Sequence, residues 1–214
     1  MSVSDFMTTD LVTVTPATPI FDAVDLMKKH DIHRLPVLEN GQLAGLITEG
    51  IIQEAMPSKA TSLSVYEVNY LLNKTTVKDV MIKDVETIAP DALLEDAIAV
   101  MRRKNIGVLP VIEGTQLKGI ITNNDIFDAF LKITGYNNGG TRVTIELAED
   151  HKGILANIAQ ILADHDFSIA TIVVNRIATA TIIEIQIESQ DVAEIKQSLS
   201  AAGFNVVNAV LTNA

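Results

Sequence analysis

The chain has 214 residues and a formal net charge of −11, with 48% hydrophobic residues, 4% aromatic residues and no cysteine. That acidity argues against a broad nucleic-acid footprint, which needs clustered Lys and Arg to displace phosphate counterions, and the absence of cysteine excludes disulfides, thiol catalysis and zinc–thiolate sites. So few aromatics imply an aliphatic core of Ile, Val, Leu and Ala in one large or two medium domains. The first twenty residues do not read as a signal peptide. No apolar run approaches the roughly 18–20 residues that span a bilayer, so a soluble, cytoplasmic protein is expected.

In chain order the first feature is a repeat. Displacing the sequence by 74 residues aligns 3–52 with 77–126 without a gap, and 20 of those 50 positions are identical. Each copy predicts a short strand (Val12 to Val14; Glu86 to Ile88) ending near a proline. A helix follows, with apolar residues at Ile20, Ala23, Val24 and Met27 in copy one and Leu94, Ala97, Ile98 and Met101 in copy two. Both sets fall at i, i+3, i+4, i+7, one helical face. Two apolar strands, Leu35–Leu38 and Leu43–Ile47, flank the turn signal Glu39-Asn40-Gly41-Gln42, whose counterpart is Glu113-Gly114-Thr115-Gln116. A last helix starts after Thr48 and Thr122. One unit of about fifty residues buries its apolar faces poorly, so two are expected to pack face to face around a cleft on a pseudo-two-fold axis.

The repeated V-x-D-x-M (Val3–Met7, Val77–Met81), L-P-V (Leu35–Val37, Leu109–Val111) and G-[LI]-I-T (Gly45–Thr48, Gly119–Thr122) resemble the CBS domain, and the pair resembles a CBS tandem, or Bateman module. Between the copies, Val65–Leu72 has helical character with Ser62 or Ser64 as N-cap, similar to the linker of AcuB-like (acetoin utilisation) CBS proteins.

After the Asn- and Gly-rich stretch 135–140 the pattern changes. Val143, Ile145 and Leu147 alternate as in a strand. Ile154, Leu155, Ile158, Ile161 and Leu162 form a helical stripe. Phe167–Val174 and Thr181–Glu188 read as strands, Val192, Ile195, Leu199 and Ala202 as a helix closed by Gly203, and Phe204–Leu211 as a final strand. This βαββαβ order is the ferredoxin-like plan. With Asp150-x-x-Gly153 before the first helix it resembles an ACT domain. The expected class is therefore α/β (α+β): CBS repeat one at 1–56, a helical linker at 57–76, CBS repeat two at 77–134, a linker at 135–140 and an ACT domain at 141–214.

Candidate chemistry lies where the copies differ. Thr122-x-x-Asp125 opens the last helix of copy two; in CBS domains this spacing resembles a nucleoside site, the carboxylate accepting ribose hydroxyls, with Asn124 beside it and phosphate favoured at a helix N-terminus. The same spacing also reads as a helix cap. Copy one has Ile51 in place of the aspartate. Conversely, copy one carries His33-Arg34 before L-P, which resembles the phosphate-contacting pair of nucleotide-binding CBS proteins, whereas copy two has Gly107-Val108; a solvated basic pair is the other reading. The complementary losses suggest one shared site. The resemblance places the adenine against Thr87, Ile88 and Ala89, with Pro36, Val108 and Pro110 as neighbours. In the third unit Asp150, His151 and Gly153 form a candidate effector loop for a small amino acid, or a plain turn. His30, His151 and His165 show no metal spacing, Glu49 and Glu54 read as a solvated face, and no catalytic constellation is present.

The resemblance thus implies a non-catalytic regulatory protein. It would bind AMP, ADP, ATP or S-adenosylmethionine, require no cofactor or metal, form a homodimer, and act on a partner enzyme outside this chain, with no nucleic acid or membrane involved. A magnesium-sensing module and a purely structural dimerisation protein are the alternatives.

Overall fold

The computed structural model describes residues 1–55, 74–149 and 151–212. The expected linker helix at 65–73, and Asp150, lie outside the described residues. Two compact units are present, Met1–Ile126 and Phe127–Ala214.

In the first unit both copies build the same elements. Copy one has α1 (Ile20–His30), β1 (Arg34–Glu39), β2 (Gln42–Thr48) and α2 (Glu49–Ala55). Copy two opens with the short α3 (Val77–Val80) and continues with α4 (Leu94–Lys104), β3 (Val108–Glu113), β4 (Gln116–Thr122) and α5 (Asn123–Ile133). Helices α1 and α4 carry basic residues in their last turns and close on Asp31 and Asn105, both at φ 53°, as suits short polar side chains in the left-handed region. The β1–β2 hairpin turns through Asn40 (φ 53°) and Gly41 (φ 78°), the positive pair that a tight hairpin turn needs.

The two strands expected at 12–14 and 86–88 are reduced to single parallel bridges, Val14 to Val37 and Ile88 to Val111. Val14 donates to the Pro36 carbonyl and accepts from Leu38. The chain then leaves the hairpin, because a turn closed by Thr18 N–H on the Thr15 carbonyl begins at once.

The copies are interlocked through their leading segments. Val3 donates to the Ala92 carbonyl and Thr8 exchanges backbone bonds with Ile120; reciprocally, Val77 donates to the Thr18 carbonyl and Ile82 exchanges bonds with Leu46. Val77 belongs to the copy-one core with Ala23, Leu35, Val37 and Ile47, while Val3, Leu109, Val111 and Ile121 are also fully buried. The motif residues explain the fit. Asp5 and Asp79 accept from the backbone N–H of Ser2 and Thr76, fixing the short opening turns. Gly45 and Gly119 leave room for Met81 and Met7 of the opposite copy.

The second unit is a four-stranded antiparallel sheet in the order β6-β7-β5-β8, from β5 (Gly140–Leu147), β6 (Ile169–Arg176), β7 (Thr181–Ile187) and β8 (Asn205–Thr212). Helices α6 (Ile154–Asp164) and α7 (Val192–Ala201) cover one face. The core joins Val143 and Ile145, Ile158 and Leu162, Ile183 and Ile185, Ile195 and Leu199. The opposite face is mixed, with Arg142, Thr144, Glu184 and Gln186 beside exposed Val173 and Val210. Gln186, 1% exposed, donates to the Gly139 carbonyl and Thr212 Oγ1 and accepts from Arg142 Nε.

Candidate functional site

Two of the cavities in the first unit are related position by position through the 74-residue repeat. The smaller, about 210 Å³, is lined by Thr8, Asp10, Leu11 and Val12 ahead of the first bridge of copy one, by His33 and Arg34 at the start of β1, and by Ile120, Thr122 and Asn124 of copy two. The larger, about 430 Å³, is lined by Ile82, Asp84, Val85 and Glu86, by Ile106, Gly107 and Val108, and by Leu46, Thr48, Glu49 and Gly50. Each therefore combines the leading segment and strand start of one copy with the helix start of the other.

His33 and Arg34 line both cavities. Arg34 reaches the larger one across Gly107: its Nη2 lies 3.1 Å, and Asn123 Nδ2 2.9 Å, from where a glycine Cβ would stand. A side chain there would push both amino groups back. Among the described residues no hydrogen bond or ion pair engages the Arg34 guanidinium. Half-buried and uncommitted, it can receive a planar anion such as a phosphate or carboxylate edge. His33 is differently placed, with Nδ1 2.8 Å from Glu49 Oε2 and both side chains more than half exposed.

Asp125 stands at the edge of the smaller cavity. Its Oδ2 accepts from the Thr122 N–H at 2.6 Å and the Thr122 hydroxyl at 2.7 Å, and the Asp125 N–H returns a bond to Thr122 Oγ1 at 3.4 Å. That is a reciprocal cap of α5. Oδ1 receives only the Thr8 hydroxyl, at 3.4 Å across the copies. One carboxylate oxygen is thus occupied by capping, and the other is free to accept from a ligand hydroxyl. In copy one the cap is reduced to the Ile51 N–H on Thr48 Oγ1 at 3.3 Å.

The structure brings His33, Arg34, Thr122 and Asn124 together on one cavity, with Asp125 at its edge. The remaining expected residues do not line that cavity. Val108 lines the larger cavity. Thr87, Ile88 and Ala89 follow Glu86 of the larger cavity's lining without being part of it, and Ile88 is bridged to Val111. Pro36 and Pro110 are buried, giving their carbonyls to Val14 and Ile88. Thr8, Asp10, Leu11 and Val12 of copy one form the wall near Asp125, and sequence reasoning missed that segment, whose only signal is its equivalence to 82–86. In the second unit His151 is exposed and Gly153, at φ 92°, precedes α6. Among the described residues no group of three or more His, Asp or Glu is placed to hold a metal ion, and no helix is long and apolar enough to cross a membrane.

Comparison with known proteins agrees with this architecture. The CBS domain family matches residues 3–58 and 77–132, and the ACT domain family matches 141–204. The CBS domain-containing protein YhcV of Bacillus subtilis is 34% identical over 125 residues, which are 58% of this chain and 82% of YhcV. Inosine-5'-monophosphate dehydrogenase of Korarchaeum cryptofilum is 33% identical over 123 residues, 57% of this chain but only 23% of the dehydrogenase, so the likeness there is to a part of that enzyme. Among solved structures, a candidate acetoin utilization protein (AcuB) from Vibrio cholerae superposes with a TM-score of 0.52 at 29% identity over 62% of this chain and 91% of that one. CBSX2 in complex with AMP gives 0.52 at 25%, over 62% and 97%. The CBS pair of MJ0100 in complex with 5'-methylthioadenosine and S-adenosyl-L-methionine gives 0.51 at 26%, over 61% and 95%. With two CBS matches that interlock as one module and an ACT match on the ferredoxin-like sheet, the chain belongs to the CBS-domain family, as a tandem CBS protein with a C-terminal ACT domain.

Proposed function

We propose that this chain is a non-catalytic regulatory sensor that binds an adenosyl ligand in the smaller cavity, with Asp125 Oδ1 accepting from the ribose and Arg34, aided by His33, receiving the phosphate. The observation that carries the reading is the convergence of copy-one His33 and Arg34 with copy-two Thr122 and Asn124 on one cavity. The solved CBS pairs that hold AMP, or 5'-methylthioadenosine and S-adenosyl-L-methionine, support the ligand class. Leu11, Val12 and Ile120 supply the apolar wall for the base. Occupancy would bridge the copies and favour whichever arrangement of the module binds the ligand more tightly. The output is a cytoplasmic partner enzyme outside this chain, engaged by a homodimer. The turn at His151–Gly153 is the corresponding place for a small amino acid.

Thermal unfolding of the full chain with AMP, ADP, ATP, S-adenosylmethionine, single amino acids and Mg²⁺ tests this. A ligand present at 100 times its Kd stabilises by about 2.7 kcal/mol. The adenosyl ligand should raise Tm in the parent chain and fail to do so in Asp125→Ala and Arg34→Ala. A response to Mg²⁺ alone, or an adenosyl response untouched by both substitutions, would overturn the reading.

A further inference from the structure

The two cavities are equivalent by repeat but not by charge. Copy one brings His33 and Arg34 to its strand start; copy two brings Gly107 and Val108 to the matching positions. The module therefore has one arginine where a symmetric pair would have two. The side chain sits so as to compensate: Gly107 opens the second strand start, and the Arg34 guanidinium leans across it to border the larger cavity as well as its own. The other charged groups of the larger cavity are acidic. Glu49 is held by His33, Glu86 is paired with Lys104, and Asp84 is exposed with no ion pair among the described residues. Around the smaller cavity stand Asp10 and Asp31. Among the described residues no second uncommitted arginine or lysine lines either space.

We propose that Arg34 is a single anion-binding group serving both cavities, so that anionic ligands in the two cavities exclude one another and the module registers one phosphate-bearing ligand at a time. A guanidinium offers a phosphate its planar fork only when turned toward it. A second anion in the opposite cavity would face the back of that fork, with Glu49, Asp84 and Glu86 around it and no cation of its own, so it would meet net repulsion. A ligand without a phosphate makes no claim on Arg34 and escapes the exclusion. The inference deepens the proposed adenosyl reading and rests on it.

The test is isothermal titration of the full chain with AMP, using adenosine as the phosphate-free probe. The parent chain should bind one AMP. Ile51→Asp restores to copy one the carboxylate that copy two has as Asp125. It should still bind one AMP tightly, with any second at least tenfold weaker. Ile51→Asp with Val108→Arg gives each cavity its own guanidinium and should bind two. Arg34→Ala, which alters neither helix start, should lose at least tenfold in AMP affinity and keep its affinity for adenosine, and it remains informative even where the double variant fails to fold. Two AMP molecules bound within tenfold of each other by Ile51→Asp, one bound by a folded double variant, or an Arg34→Ala chain that holds AMP as before would each overturn the sharing of Arg34 while leaving an adenosyl site standing. No AMP binding by the parent chain would overturn both.

Discussion

The Sδ atom of Met81 lies 2.7 Å from where a Cβ on Gly45 would stand, and Met7 takes the same position, also at 2.7 Å, over Gly119. The methionine of each V-x-D-x-M motif is therefore seated on the glycine of the other copy's G-[LI]-I-T motif, and the two motifs are complementary halves of one contact. The carbonyls of Ile82 and Thr8 stand as close, at 2.6 and 2.7 Å. A methyl group would have to move backbone as well as a flexible thioether. Gly45→Ala and Gly119→Ala should each cost about 1–3 kcal/mol, the range for overpacking a closed contact, read as a fall in the urea midpoint with an unchanged slope.

Asp125 caps α5 and borders the smaller cavity with different oxygens. Asp125→Ala should therefore lower stability in the absence of any ligand by about 1 kcal/mol, the usual loss for a helix cap. Thr122→Val removes the hydroxyl that bonds Asp125 Oδ2 but leaves Oδ1 in place. It should lower ligand-free stability without abolishing the adenosyl response. Denaturation with and without AMP separates the two outcomes.

Asp79 offers a pH signature. The backbone N–H of Thr76, then its hydroxyl, holds the Asp79 carboxyl below its ordinary value, with weaker help from Lys78 and Lys83. A lowered value in the folded state means that the unfolded chain takes up the proton more readily. The stabilisation is then fully present above the unfolded value near 3.9 and is lost as pH falls through the lower folded one. Asp79→Asn should lower Tm at pH 7, and its difference from the parent should shrink as pH falls into the range below about 4. A difference that stays constant across that range would show that the carboxylate charge is not what fixes the α3 turn.

Gln186 joins β5, β8 and the Gly139 carbonyl from a buried position on the face of the second sheet away from its helices. Gln186→Glu keeps the size and removes both amide donors, leaving two acceptors facing each other. Buried unsatisfied groups cost about 1–3 kcal/mol, so this substitution should destabilise the ACT unit by that order. Hydrogen exchange should show it in β5 and β8.

Local features of the fold were legible because they depend on neighbours in sequence. The Ile20, Ala23, Met27 and Leu94, Ala97, Met101 stripes became buried helix faces, Asn40-Gly41 became the hairpin turn, and Gly203, at φ 91°, follows the end of α7. What depends on the crossing of copies was not legible. Periodicity carries no information on which leading segment meets which helix start, so the lining of the smaller cavity by Thr8, Asp10, Leu11 and Val12 is not readable from it. The pairing of His33 with Glu49 is of the same kind: it follows from β1 meeting β2 at Arg34 and Thr48, and an acid at a helix start looks in sequence like any solvated charge.

The interlock also sets the order in which the module can be made. Residues 3–8 are synthesised well before their backbone partners Pro90, Ala92 and Ile120. All three follow the whole of copy one, and Ile120 follows most of copy two as well. The copy-one core likewise waits for Val77. Folding of this module cannot proceed one copy at a time; the opening turn of copy one must stay undocked until copy two is under way, and a ribosome stalled between the repeats would hold a first copy that still lacks Val77 from its core.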